Sequence, residues 1–197
     1  PAPVPIEVNS GGPAEFAFIT VGNGDGAADG SVHRPGSYVA VIDPGSGTVV
    51  ERRGFDTTPS GSEAESTALA DFFANVPEGR IVVVALQGDG TARLSDGAVA
   101  GFHAIGGQAD PRGTTGWSHA IIGVKASTPG AAMEAAGPEN GWLREAPDRR
   151  TLAIAVDSIA WEATGGQDSA WAPVAGLGCL TPSSPRSLAA LPLPCMS

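Results

Sequence analysis

Residues Gly116–Ala120 read Gly-Trp-Ser-His-Ala, and here a potential nucleophile, Ser118, stands beside a potential base, His119. The run falls one residue short of the Gly-x-Ser-x-Gly elbow that exposes a catalytic serine. That elbow also needs a strand before the serine and a helix after it. In this chain a Gly/Pro/Thr loop precedes and an apolar, strand-like run follows. Neighbours on a strand point to opposite faces, so Ser118 and His119 are poorly placed to share a proton. The spacing speaks against a hydrolase.

Metal and nucleotide chemistry fare no better. His33, His103 and His119 show neither His-x-x-x-His nor Cys/His spacing, so no zinc site is expected. Asn23–Gly30 has the look of a calcium loop, with Asn23, Asp25 and Asp29 falling at loop positions three, five and nine around Gly26. Position one would be Val21 and position twelve Val32, so the first carboxylate and the bidentate acid are missing. A turn cluster explains the segment better. Neither phosphate-binding glycine motif is present in its required context. No cofactor is expected.

The elements that would position these residues follow from composition and pattern. The 197 residues are 42% hydrophobic, with mean hydropathy near zero, enough apolar surface for a buried core. With 28 Gly and 17 Pro beside short Val/Ile/Thr runs, many strands and turns are expected rather than a helical bundle. No apolar run reaches the ~20 residues of a membrane-spanning helix, so membrane insertion is not expected. Net charge is −10, from 21 acids against 11 bases, which disfavours nucleic acid as a partner. The start, Pro-Ala-Pro-Val-Pro-Ile-Glu-Val, shows no charged and apolar leader pattern. Either a leader was removed before Pro1, or the chain is made in the cytoplasm and loses a methionine.

Val4–Val8 and Glu15–Val21 read as strands around an Asn-Ser-Gly-Gly-Pro turn. Ser37–Asp43 and Gly47–Phe55 form a hairpin through Pro-Gly-Ser-Gly. Ser62 with Glu65 predicts a capping box on a helix Glu63–Val76, whose Leu69, Phe72, Phe73 and Val76 share a face. Arg80–Leu86 is apolar on both faces, as a central strand should be. Ser95 is the expected cap of a second helix carrying Val99, Phe102 and Ile105 and ended by Gly106-Gly107. His119–Lys125 reads as a further buried strand. Thr151–Trp161 alternates, with Leu152, Ile154 and Val156 on one face. From Gly165 the chain turns Gly/Pro/Ser-rich, and a domain 1–162 with an extension 163–197 is expected. Cys179 and Cys195 lie in that extension. Bridged, they would close a loop worth about 3 kcal/mol and imply an oxidising compartment. The other reading is two free thiols.

The order from "SYVAVIDPGSGTVVERRGFDT" through a helix containing "ALADFF", a strand "PEGRIVVVAL", a second helix, "IGG" and "HAIIGVK" resembles the ILEI/PANDER-type domain of the interleukin-like EMT inducer family, over Ser37–Ala126. The resemblance implies an α+β fold. Two curved, mostly antiparallel sheets would form a sandwich-like core with two or three short flanking helices. Relatives include secreted cytokine-like proteins, accessory domains of hyaluronan-processing proteins and a glycan-binding transferase stem. It further implies a non-enzymatic module.

Glycan-binding relatives use an Arg before the first hairpin strand, an acid after the central strand, and an Arg-Asp pair before the last. Arg34 and Asp89 each stand one residue out of register with the first two. At the third, Gly116 and Trp117 replace the pair, which removes a bidentate clamp on sugar hydroxyls. Trp117 could substitute by stacking on a pyranose face, or could simply anchor the loop. The resemblance thus marks Arg34, Asp89, Trp117, Ser118 and His119 as candidate ligand contacts, with His119 also read as a packing residue. Asp56 is open to ligand binding or, more simply, to capping its own turn. The leading expectation is an extracellular or virion-surface recognition module that binds glycan, or a cell-surface receptor, through loops Gln87–Arg93 and Ala109–Ser118. Two alternatives stay open. One is a structural subunit of a phage tail, fibre or capsid surface, joined to neighbours by the C-terminal extension. The other is a secreted cytokine-like signal.

Overall fold

A computed structural model describes residues 2–12, 16–22 and 26–145, together with the backbone of 152–156. Pro1–Val156 is one compact unit. The expected boundary at 162, both cysteines, Asn23 and Asp25 lie outside the described residues, as do the side chains of Leu152, Ile154 and Val156.

One sheet is built on the hairpin the turn sequence predicts. β4 (Gly36–Ile42) and β5 (Val49–Phe55) pair antiparallel, followed in the sheet by β6 (Ile81–Gln87), β7 (Ser118–Val124) and β8 (Met133–Gly137) in the order β5-β4-β6-β7-β8. β6 is its middle strand, as its doubly apolar sequence requires. Asp43 closes the hairpin turn by accepting the Gly45 and Ser46 N–H groups, at 3.0 and 2.8 Å, and pairs with Arg80. The other sheet runs β10 (Leu152–Val156), β9 (Asn140–Glu145), β1 (Ile6–Gly11), β2 (Phe16–Val21), β3 (Ala28–Asp29), also antiparallel throughout.

Alternation along the strands divides the interior into two cores. Val82, Val84 and Leu86 of β6, with Val39 and Val41 of β4, meet helices α1 (Glu63–Asn75) and α2 (Asp96–Ala104) through Leu69, Phe72, Phe73, Val99, Phe102 and Ile105. Their neighbours Ile81, Val83 and Ala85, with Tyr38, Ala40 and Ile42, share a second cluster with Ile6, Val8, Ile19 and Leu143 of the other sheet. The β4-β6-β7 layer is therefore covered on both sides, by helices and by a sheet.

Two expectations are corrected. Asn9, Ser10 and Gly11 continue β1 instead of turning, because they pair with β2 and β9 and the Ser10 hydroxyl donates to the Leu86 carbonyl at 2.6 Å. The capping box on α1 is not made. Ser62 contributes no side-chain bond, and Glu65 turns outward to accept the Asp56 N–H at 3.0 Å. On α2 the expected cap holds, with the Ala98 N–H donating to Ser95 Oγ at 3.2 Å.

Candidate functional site

The register of the helix-covered sheet brings three chain segments to one end. Gly36, at the start of β4, is opposite Gln87, at the end of β6, and Ala85 is opposite Ala120 near the start of β7. Arg34 and the loops Gln87–Arg93 and Ala109–Ser118 therefore emerge together. Two side chains join the loops. Asp89 Oδ1 accepts the Gly116 N–H at 2.9 Å, and Thr91 Oγ1 donates to the Thr114 carbonyl at 2.6 Å. Gly116 has φ +69°, a left-handed conformation that its Asp89 bond fixes and that a side chain would strain.

Trp117 follows immediately and is half-buried. The end of β1 presses against its backbone from behind, for a Cβ added at Gly12 would lie 2.4 Å from the Gly116 carbonyl oxygen. The loop is thus pinned from two sides.

Beneath the loops the polar groups are satisfied internally. Ser37 Oγ and Thr57 Oγ1 lie 2.9 Å apart, and Thr57 Oγ1 donates to the Gly90 carbonyl at 2.7 Å. Asp56 Oδ1 accepts the Thr58 hydroxyl and N–H at 2.6 and 3.2 Å, the turn-capping alternative.

The three arginines at this end each have a partner. Arg112 binds Asp110 and Asp96, and its hydrogen bond is the chief cause holding the Asp110 carboxyl down at about 2. Arg93 Nε donates to the Pro59 carbonyl at 3.0 Å, and Arg34 lies 3.8 Å from Glu65.

Ser118 and His119 sit elsewhere than at the surface. Ser118 is 1% exposed, and its hydroxyl donates to the carbonyls of Gly137 and Glu139. His119 is fully buried, edge-on to Phe102 at 5.1 Å, with Nε2 2.7 Å from Glu134 Oε1 and Nδ1 left without a hydrogen-bond partner. Its N–H donates to Ser10 Oγ at 3.0 Å. Burial alone would push the Glu134 carboxyl up. The His119 bond and the N–H groups of Gln108 and Ala109, 2.7 and 3.1 Å away, outweigh that and hold it below the usual carboxylate range. Glu134 thereby fastens the root of the Ala109–Ser118 loop to β8. Its sequence context, a lone acid among Ala and Gly, gave no signal for that role.

Of the five candidates, Arg34, Asp89 and Trp117 reach one end of the sheet with side chains at least partly exposed, while Ser118 and His119 look inward. Among the described residues no cluster of His, Cys, Asp and Glu could hold a metal ion, and Asp29 is engaged with His33 at 2.7 Å. A groove of about 370 Å³ lies away from this end, between β5 and α1, lined by Glu51, Arg53, Asp71, Phe72 and Asn75 among others.

Two antiparallel sheets, helices over one of them and a braced pair of loops at its end define a mostly β class of domain. Residues 35–127, just under half of the chain, match the family described as Interleukin-like EMT inducer. The chain is also similar to the human Cell migration-inducing and hyaluronan-binding protein, with 45% identity over 64 residues. That match takes in 32% of this chain and 4% of the relative, so the chain spans a small fraction of the protein it resembles.

Proposed function

We propose that this domain is a non-enzymatic recognition module, extracellular or surface-exposed, that uses its sandwich-like core as a frame and contacts glycan through the loops Gln87–Arg93 and Ala109–Ser118. The observation that carries this reading is the Asp89–Gly116 bond, which joins the two loops and sets the half-exposed Trp117 at their junction. A ring held in place loses little freedom on binding and can take the C–H face of a sugar. The relative named as hyaluronan-binding lends support to a polysaccharide as the ligand class. The internal commitments of Ser118 and His119 favour binding over turnover, since their side chains serve carbonyls and Glu134 rather than each other.

The test is a glycan array probed with the full chain and with Trp117→Ala. Binding to at least one glycan class, weakened on the order of tenfold by the substitution, is expected, in line with loss of one aromatic contact. An array that stays blank for the wild type, or responds equally to both proteins, sinks the reading.

A further inference from the structure

We propose that β5 is a self-association edge. A second copy of this chain adds its own β5 antiparallel, centred on Arg52, so that Glu51 of each copy faces Arg53 of the other. The inference is independent of the glycan reading above.

Among the described residues β5 is the outermost strand of its sheet and pairs with β4 alone. Its edge is open, for Val50, Glu51, Arg52 and Arg53 are all exposed, Val50 at 52%. Grooves flank it on both faces. One of about 370 Å³ lies between Glu51 and Arg53 on the strand and Asp71 and Asn75 on α1. The other, of about 350 Å³, lies between Asp29 and the strand residues Val50 and Arg52. A second backbone can therefore come alongside without displacing a packed element.

Charged residues and a bulge are the usual guards of such an edge, and both are present. Val50 is the extra residue of the bulge, since Val41 pairs with Glu51 and Ile42 with Val49. The charges, however, give no protection against a copy of themselves. Glu51 and Arg53 stand two residues apart, hence on one face, with opposite sign. In a two-fold dimer residue i meets j wherever j meets i. Antiparallel pairing about Arg52 thus sets Glu51 opposite Arg53 twice, and opposite charges across paired strands attract. Both groups are available. Arg53 lies over the Phe55 ring, 5.0 Å from its centroid, and among the described residues neither it nor Glu51 is in an ion pair. Arg52 would meet its own copy at the two-fold axis. It is drawn away instead by the Asp29 and Ser31 carbonyls, to which Nη1 donates at 2.6 and 3.2 Å. Nothing in this pattern selects an unrelated extended peptide, whereas a second copy matches it by symmetry. The two sheets would join into one, with both helix layers on the same side and the candidate loops at opposite ends.

The test is sedimentation velocity of the full chain, kept reduced so that Cys179 and Cys195 cannot link copies. The bulge limits pairing to a few residues, so a dimer with a dissociation constant on the order of 100 μM is expected. Glu51→Arg and Arg53→Glu each place like charges opposite one another twice, and each alone should weaken the dimer at least tenfold. Mixed in equal amounts, the two variants complement each other and should form a heterodimer close to wild-type affinity. Circular dichroism matching wild type checks that both are folded. A wild type still monomeric at about tenfold higher concentration overturns the inference. So does a dimer that both variants retain, which places the interface elsewhere. A mixture no tighter than either variant alone overturns the register about Arg52.

Discussion

The two sheets of this protein are assembled from the same kind of antiparallel pairing, yet they were written in different sequence languages. In the β5-β4-β6-β7-β8 sheet the inner strands β4, β6 and β7 are buried along nearly their whole length, with helices on one side and the other sheet on the opposite side. In the β10-β9-β1-β2-β3 sheet, β2 alternates buried Ala17, Ile19 and Val21 with Phe18, which is 37% exposed. A doubly covered sheet uses both sets of side chains for packing, so its variable chemistry is displaced to the loops at its ends. Among the described residues the other sheet is covered on one face only, by the inter-sheet cluster. The joined loops Gln87–Arg93 and Ala109–Ser118 belong to the first kind, and that rigidity is what lets one hydrogen bond hold the backbone beside Trp117.

The contrast can be broken most forcefully on the helix-covered face. Phe102 is fully buried and packs edge-on against both Phe73, at 5.5 Å, and His119. Phe102→Ala should cost about 3–5 kcal/mol by leaving a cavity between α2 and the sheet. Urea unfolding of the full chain measures it; a loss under 1 kcal/mol would mean that the helices are a loose cover rather than half of the core.

The adjacent pair Trp142 and Leu143 tests the singly covered sheet. Leu143 is fully buried in the inter-sheet cluster, and Leu143→Ala should cost about 2–4 kcal/mol. Trp142 is half-buried, with Nε1 donating to Glu7 at 2.8 Å, and Trp142→Phe should cost about 1 kcal/mol or less. Comparable losses from the two substitutions would show that the outer face is covered after all.

Glu134 sharpens the comparison through pH. Its folded carboxyl lies below the ordinary value of 4.5, so the stabilisation it brings is complete above that pH. It drains away as the solution is acidified through the lower folded value. Glu134→Gln should lose about 1–2 kcal/mol near pH 7, a figure reduced for the carboxyl's partial contact with water. The gap to wild type should close as pH falls below 4.5. A constant gap across that window would show that the carboxylate charge is immaterial and only the side chain's shape matters.

How far the sequence speaks for itself follows the same division. β4, β6 and β7 were legible because continuous apolar runs with β-branched residues fit few other environments. The hairpin was legible because Asp-Pro-Gly-Ser-Gly can do little but turn. β8 and β9 were not, since Met-Glu-Ala-Ala-Gly and Asn-Gly-Trp-Leu-Arg-Glu owe their strand pairing to neighbours far along the chain. Asn9-Ser10-Gly11 has turn composition, and only the bonds of Ser10 to Leu86 and His119 explain why it stays extended. At the candidate site, the two loops were legible as Gly-rich stretches beside apolar strands and through the family resemblance. The roles of Asp89 and Glu134 were not, because the loop N–H groups they accept lie 27 residues away for Asp89 and 25 and 26 for Glu134.

The smallest effects divide the two helices, of which the first has the fuller cap in sequence. Both begin after a serine, but only Ser95 uses its hydroxyl, accepting the Ala98 N–H while its own N–H donates to Ser66 Oγ at 2.8 Å. Ser62 has the extended backbone of a cap, φ −101° and ψ 160°, without the bond, because the glutamate that should answer it is drawn to Asp56. Ser95→Ala should therefore cost about 1 kcal/mol, and Ser62→Ala a few tenths at most. Denaturation midpoints of the two variants against wild type decide it. Equal costs would mean that Glu65 returns to the helix in solution and that the loop joining β5 to α1 is held by something other than its carboxylate.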